Sequence, residues 1–179
     1  FGGKDGQLPA ITVTEGSTAL SVRGKVDRVD GWIKDGKLYL RVVDYKTGQK
    51  AFDLSDVRYG LGIQMLLYLF ALQKEGSGYF GMPVVPAGVL YTPAREIISR
   101  EDRSIPPEKL EAVLRRKLRR TGMLLSEPEV LRAMEHSALE APCFLPIQVS
   151  KDGGISGGVA TAAQLGRLGQ YVEKLLHQI

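Results

Sequence analysis

Apolar and polar residues alternate through two stretches of the chain, Gly24-Lys25-Val26-Asp27-Arg28-Val29-Asp30 and Leu40-Arg41-Val42-Val43-Asp44-Tyr45-Lys46. A period of two, with β-branched residues at the apolar places, predicts strands. Between them lies Lys34-Asp35-Gly36-Lys37. Asp-Gly between alternating hydrophobics is the strongest local signal for a tight hairpin. A turn centred between Asp35 and Gly36 pairs residues whose numbers sum to 71. Asp27 then falls opposite Asp44, Lys25 opposite Lys46 and Val29 opposite Val42, all on one face of the hairpin. Asp30 falls opposite Arg41 on the other face, as a stabilising cross-strand pair of opposite charge.

The same reading continues along the chain. Residues 1–9 form a polar, glycine-rich lead-in, followed by a strand at 10–14, a turn at Glu15-Gly16-Ser17 and a long strand over 19–30. The strand over 38–46 completes an antiparallel meander, and Thr47-Gly48-Gln49-Lys50 is a polar loop. Asp53 or Ser55 can cap a helix that includes 59–74, with Gly76 as its stop. That helix is apolar almost all round, which predicts burial against a sheet. Gln64 and Tyr68 interrupt it one turn apart on one face, and a buried amide needs partners. Residues 83–92 read as a strand ended by Pro93. With a helix as crossover, it can run parallel to the strand carrying Asp44.

Residues 95–103 are polar and charged. Pro106-Pro107-Glu108 opens a helix to about 121, closed by Gly122, with Leu110, Val113, Leu114 and Leu118 as its apolar stripe. Arg115, Arg116, Lys117, Arg119 and Arg120 gather near its end. Cations there complement the helix dipole, so a solvated face explains them; the functional alternative is a contact to a DNA backbone or a partner subunit. A short helix at 127–135 follows, with His136 at the surface. Then come a strand at 144–149, a mobile glycine loop at 153–158 and a last helix from Thr161 to the end.

Composition narrows the class only a little. The 179 residues are 44% apolar and 25% charged, as in one ordinary globular domain. Cys143 is the single cysteine, so no internal disulfide can form, which fits a reducing, cytoplasmic compartment. No stretch reaches the roughly 18 apolar residues of a membrane helix. The first residue is Phe rather than Met, and the helical pattern is unbroken at the last, as expected for part of a longer chain. A net charge of +4 is compatible with nucleic acid.

The chemistry lies in the hairpin. Directly opposed carboxylates destabilise a strand pair unless a proton or a cation is shared between them. Magnesium takes oxygen ligands, often one or two carboxylates with waters and phosphate oxygens. Lys46, one pleat beyond Asp44, can orient a water or neutralise a phosphate. Asp27, Asp44 and Lys46 therefore suit a metal-dependent phosphodiesterase. Unrelated charges on a surface hairpin are the plain alternative.

These residues also resemble a known family. Gly24-x-x-Asp27-Arg28-x-Asp30, Asp44-Tyr45-Lys46-Thr47-Gly48 and Gln64-x-x-x-Tyr68 look like the motifs of the PD-(D/E)XK nuclease superfamily in its RecB-like branch. Phe52-Asp53-Leu54 and the stretches 60–69, 86–91 and 122–130 are similar to the C-terminal nuclease domains of AddB-type helicase–nuclease subunits. The resemblance runs from about Val22 to the last helix. It implies an α/β fold with the restriction-endonuclease-like core, a mixed β-sheet flanked by helices, as one domain over 1–179. It implies Asp27, Asp44 and the Tyr45 carbonyl as metal ligands, Lys46 as the catalytic lysine, and Gln64 and Tyr68 near the DNA strand. The implied cofactor is Mg²⁺, with Mn²⁺ as a substitute. The implied activity is a DNA exonuclease in double-strand break repair and recombination, with DNA and an AddA-type helicase–nuclease subunit as partners.

Two features of such domains are not found in this sequence. One is a helix with a His or Glu ahead of the first strand. The other is a set of four cysteines for an iron–sulfur cluster, a pattern in which Cys143 does not sit. Either the flanks lie outside this stretch or this member lacks them, and the isolated stretch can then be inactive. A non-cleaving DNA-binding or scaffolding domain is the alternative function. The segments after Pro86 argue against a free-standing CRISPR-type exonuclease.

Overall fold

The computed structural model describes residues 2, 8–15, 17–48, 51–94 and 105–178. Most of the lead-in at 1–9, Gln49 and Lys50 of the polar loop, the polar segment 95–103 and Ile179 lie outside the described residues. Strands β1 (Ile11–Glu15) and β2 (Thr18–Val22) pair antiparallel as a separate two-stranded sheet. The long strand expected over 19–30 is thus two strands, and β1–β2 do not join the expected meander. The two apolar runs serve different cores. Leu20 and Val22 pack with Ile11, Ala71 and Leu176, whereas β3 (Arg28–Lys34) pairs with β4 (Lys37–Lys46).

The β3–β4 turn has positive φ at both Asp35 (49°) and Gly36 (69°). That is the geometry of the two-residue turn whose twist matches flanking strands. Pairing runs from Lys34↔Lys37 to Arg28↔Val43, every pair summing to 71 as the sequence predicts.

Asp53 caps α1 (Leu54–Arg58), accepting the Ser55 N–H at 2.8 Å. Gly60 and Gly62, at φ of 73° and 66°, break the chain before α2 (Gln64–Phe80). The single helix expected from a cap at Asp53 or Ser55 through residue 74 is therefore interrupted. Nor does it stop at Gly76. A Cβ there would come within 3.1 Å of Val84, so the missing side chain lets α2 lie close to β5 (Val84–Pro93), and the helix continues to Gly81. Strand β5 runs parallel to β4, as the crossover requires.

Helix α3 (Pro107–Leu118) ends earlier than the sequence suggests, and β6 (Thr121–Leu125) follows, antiparallel to β5. Gly122 closes no helix. It sits at φ 147°, where a Cβ would meet the Val89 carbonyl at 2.0 Å. Helix α4 (Pro128–Met134) precedes the pair β7 (Ile147–Val149) and β8 (Ile155–Gly157), so the glycine stretch holds a strand rather than only a loop. Strand β9 (Val159–Ala160) lies parallel to β6. Thr161 and Gln164 form a reciprocal cap on α5 (Ala162–Leu176).

The result is a mixed five-stranded sheet in the order β3-β4-β5-β6-β9, covered on both faces. On one face Leu40, Val42 and Val89 pack under Leu66 and Leu69 of α2 and Leu165 and Val172 of α5. On the other, Val43, Leu90 and Leu124 pack with Leu131, Leu145 and Ile147. Successive residues of β4 thus point into different cores, which fixes where every polar side chain of that strand must go.

Candidate active site

Strand β4 leaves the core at its C-terminal end. Asp44 and Lys46 continue the face of Leu40 and Val42, the face that α2 covers. Asp44 has Tyr91 of β5 as its register partner. Its Oδ2 is buried, and the Lys46 Nζ lies 2.6 Å away as an ion pair. The Lys46 ammonium also lies 5.9 Å from the centre of the Tyr91 ring. The carboxylate of Asp44 holds the Lys46 ammonium above its ordinary range; burial opposes this, and Tyr91 and Asp27 add to it. Burial raises the Tyr91 phenol, and the Asp44 charge raises it further.

Asp27 lies one residue before the first ladder pair, Arg28↔Val43, so the register carried one step further sets it against Asp44. Its Oδ2 accepts the Tyr45 N–H at 3.4 Å, which draws the carboxylate to the Asp44–Tyr45 peptide. The Tyr45 side chain points to the other face, where its hydroxyl accepts from Arg28 Nη1 at 3.0 Å. Lys25, expected opposite Lys46, lies outside the strand.

The opposite face carries a supporting charge cluster. Asp30 pairs with Arg41 as the register predicts, at 2.8 Å from Nη2, and with Arg28 Nε at 2.6 Å. Burial pushes the Asp30 carboxyl up, and the two guanidinium groups more than reverse this, leaving it below its ordinary value. The cluster staples the strand ends on which Asp27 and Tyr45 sit.

Gln64 and Tyr68 share one face of α2, with Gln64 Nε2 donating to the Tyr68 hydroxyl at 2.7 Å. Tyr68 is buried in the core under the sheet. Gln64 is exposed, contrary to the expectation of a buried amide, because the glycine break makes it the first residue of the helix. Sequence reasoning missed Tyr91. Its place beside Asp44 follows only once the parallel register of β4 and β5 is known.

The residues present suit a divalent cation. Two carboxylates, Asp44 on β4 and Asp27 at the adjoining strand end, offer the oxygen donors such an ion takes. Among the described residues no group of three or more His, Cys, Asp or Glu side chains could hold a metal. Cys143 is half-buried and free. Among the described residues no helix is long and apolar enough to cross a membrane.

The family profile of the PD-(D/E)XK nuclease superfamily matches residues 3–179. The B subunit of the ATP-dependent helicase/deoxyribonuclease of Acetivibrio thermocellus is 37% identical over 180 residues, 99% of this chain and 16% of that protein. The protein of the same name from Clostridium botulinum is 35% identical over 179 residues, 98% of this chain and 16% of the relative. That from Desulforudis audaxviator is 33% identical over 176 residues, 97% and 15% respectively. The chain spans about one-sixth of the length of these curated relatives.

Proposed function

The chain belongs to the PD-(D/E)XK nuclease superfamily, and on that premise we propose that it is a Mg²⁺-dependent DNA exonuclease domain, with Mn²⁺ able to substitute. The observation that carries this reading is the buried Asp44 Oδ2, ion-paired with the Lys46 ammonium, with Asp27 at the adjoining strand end. Two carboxylates brought to one strand end beside a single ammonium leave negative charge that a bound cation would balance.

Asp27, Asp44 and the Tyr45 carbonyl would hold the ion, which would supply charge stabilisation at the phosphate and a more acidic water. The chain's own groups do the rest. The Tyr45 N–H fixes the Asp27 carboxylate at the strand end. Lys46, ion-paired with Asp44, is placed to orient or activate the attacking water and to neutralise a phosphate oxygen. Tyr91 walls the ammonium from below. Gln64, exposed at the start of α2 and steadied by Tyr68, is available to the nucleic-acid strand.

The names of the relatives support a place in a helicase–nuclease complex, with an AddA-type helicase–nuclease as partner. Double-strand break repair and recombination in the cytoplasm is the matching role. The test is cleavage of end-labelled single-stranded DNA, with and without Mg²⁺, by the protein and by Asp44→Ala and Lys46→Ala variants. Metal-dependent cleavage that falls at least about a hundredfold in each variant is expected, since removing one charge-stabilising group costs roughly that much. Undiminished cleavage by Asp44→Ala refutes the reading. DNA retention without turnover by the unsubstituted protein favours a non-cleaving binding domain instead.

A further inference from the structure

The five basic residues near the end of α3 form one run in sequence, but the fold divides them. Arg115 pairs with Glu111 one turn back, at 2.5 Å. Arg119 turns inward and donates to the carbonyls of Leu145, at 3.2 Å, and Ile147. Arg120 lies 5.7 Å from the centre of the Phe144 ring, and its backbone N–H bonds the Phe144 carbonyl at 2.9 Å. The Arg119 and Arg120 contacts tie the chain just after α3 to residues 144–147. Arg116 and Lys117 stand on the wall of a cleft of about 400 Å³, whose other lining includes Lys46, Tyr91 and Thr92. Arg116 is exposed.

The same cleft therefore holds the candidate catalytic lysine and three further cations, Arg116, Lys117 and the inward-turned Arg119. The Thr92 hydroxyl in its lining is buried and makes no hydrogen bond. Among the described residues no acidic side chain lines it. A space of that size with four cations on its walls suits a phosphodiester and the adjoining sugar, and guanidinium groups bind phosphate well.

We propose that Arg116 and Lys117 form a backbone-binding subsite for single-stranded DNA, gripping the phosphates next to the one presented to Lys46. The proposal rests on the nuclease reading for the identity of the strand. It assigns the two residues to positioning, without sequence preference, because phosphate contacts carry none. It also explains why α3 buries none of its own residues yet is fixed at its end: the helix serves as a charged wall rather than as core.

The test is fluorescence anisotropy of a labelled oligothymidine in EDTA, titrated over a range of salt. The proteins compared are the unsubstituted chain, Arg116→Ala/Lys117→Ala, Arg116→Glu and Arg115→Ala. For single strands each phosphate neutralised adds about 0.7 to the slope of log affinity against log salt. The double variant is expected to lose about 1.4 of that slope and roughly tenfold in affinity at low salt. Arg116→Glu should lose at least as much affinity as the double variant. Arg115→Ala should bind as the unsubstituted chain does. In Mg²⁺ the double variant should raise KM and leave kcat within about twofold.

A double variant that binds and cleaves like the unsubstituted chain overturns the subsite and leaves the patch to a protein partner. Equal loss in Arg115→Ala overturns it too, since general charge would then be responsible. Failure of the nuclease reading looks different. There the unsubstituted chain binds with the expected salt dependence but never cleaves.

Discussion

Replacing Asp30 with alanine should destabilise the hairpin that carries the site, and the structure sets the size of the effect. Asp30 is the counter-ion of Arg41, whose side chain is only 12% exposed and whose Nη1 already lacks a hydrogen-bond partner. Removing the carboxylate leaves a nearly buried guanidinium without its counter-charge. Breaking a fully buried pair costs about 3–5 kcal/mol. Asp30 keeps a quarter of its side chain in water, so we expect about 2–3 kcal/mol here. Solvent screens the exposed Arg28 partner, which adds little. For a chain of this length that corresponds to a fall in Tm of about 4–12 °C, read by circular dichroism.

The pH dependence supplies a second check on Asp30. Its carboxyl titrates below its ordinary value of 3.8 in the folded chain. Its contribution is therefore complete above 3.8 and disappears as pH falls through the lower folded value. The gap between the unsubstituted protein and Asp30→Asn should narrow in that acidic window and stay constant above it. A loss under about 0.5 kcal/mol for Asp30→Ala, or a gap that persists unchanged in acid, would refute the reasoning.

Other substitutions probe the frame. Gly122→Ala should cost about 2–4 kcal/mol, because its Cβ would meet the Val89 carbonyl at 2.0 Å and its φ of 147° suits only glycine; near-normal urea denaturation would contradict the β5–β6 register. Glu135 accepts backbone N–H groups from Cys143 (2.5 Å), Phe144 (3.1 Å) and Leu145 (3.0 Å). Glu135→Ala should cost about 2–3 kcal/mol and speed hydrogen exchange at those three amides, and exchange unchanged there would count against the clamp. Thr161→Ala removes half of the reciprocal cap on α5 and should cost about 1 kcal/mol in thermal melts.

The hairpin was legible because one dipeptide set it. Asp35-Gly36 demands positive φ at both residues, and that requirement fixes the register from Arg28↔Val43 onward. The Asp30–Arg41 pair and the Gln64–Tyr68 contact followed from simple periodicity. Strand β6 was not legible. Thr121-Gly122-Met123-Leu124-Leu125 is too short for its period to separate strand from helix end, and Gly122 reads as a stop unless its cross-strand neighbour is known. The interruption between α1 and α2 was hidden in a run that is apolar throughout, although Gly60 and Gly62 mark it. The division of the α3 cations needed tertiary placement, since helix-dipole reasoning treats all five alike.

The central claim is that Asp27 and Asp44 jointly bind one divalent ion. Calorimetric titration of Mn²⁺ into the protein and into Asp27→Asn and Asp44→Asn tests it most directly. One saturable site, lost or severely weakened by either substitution, is the predicted result. Binding that survives both changes, or no saturable binding by the unsubstituted protein, would contradict it.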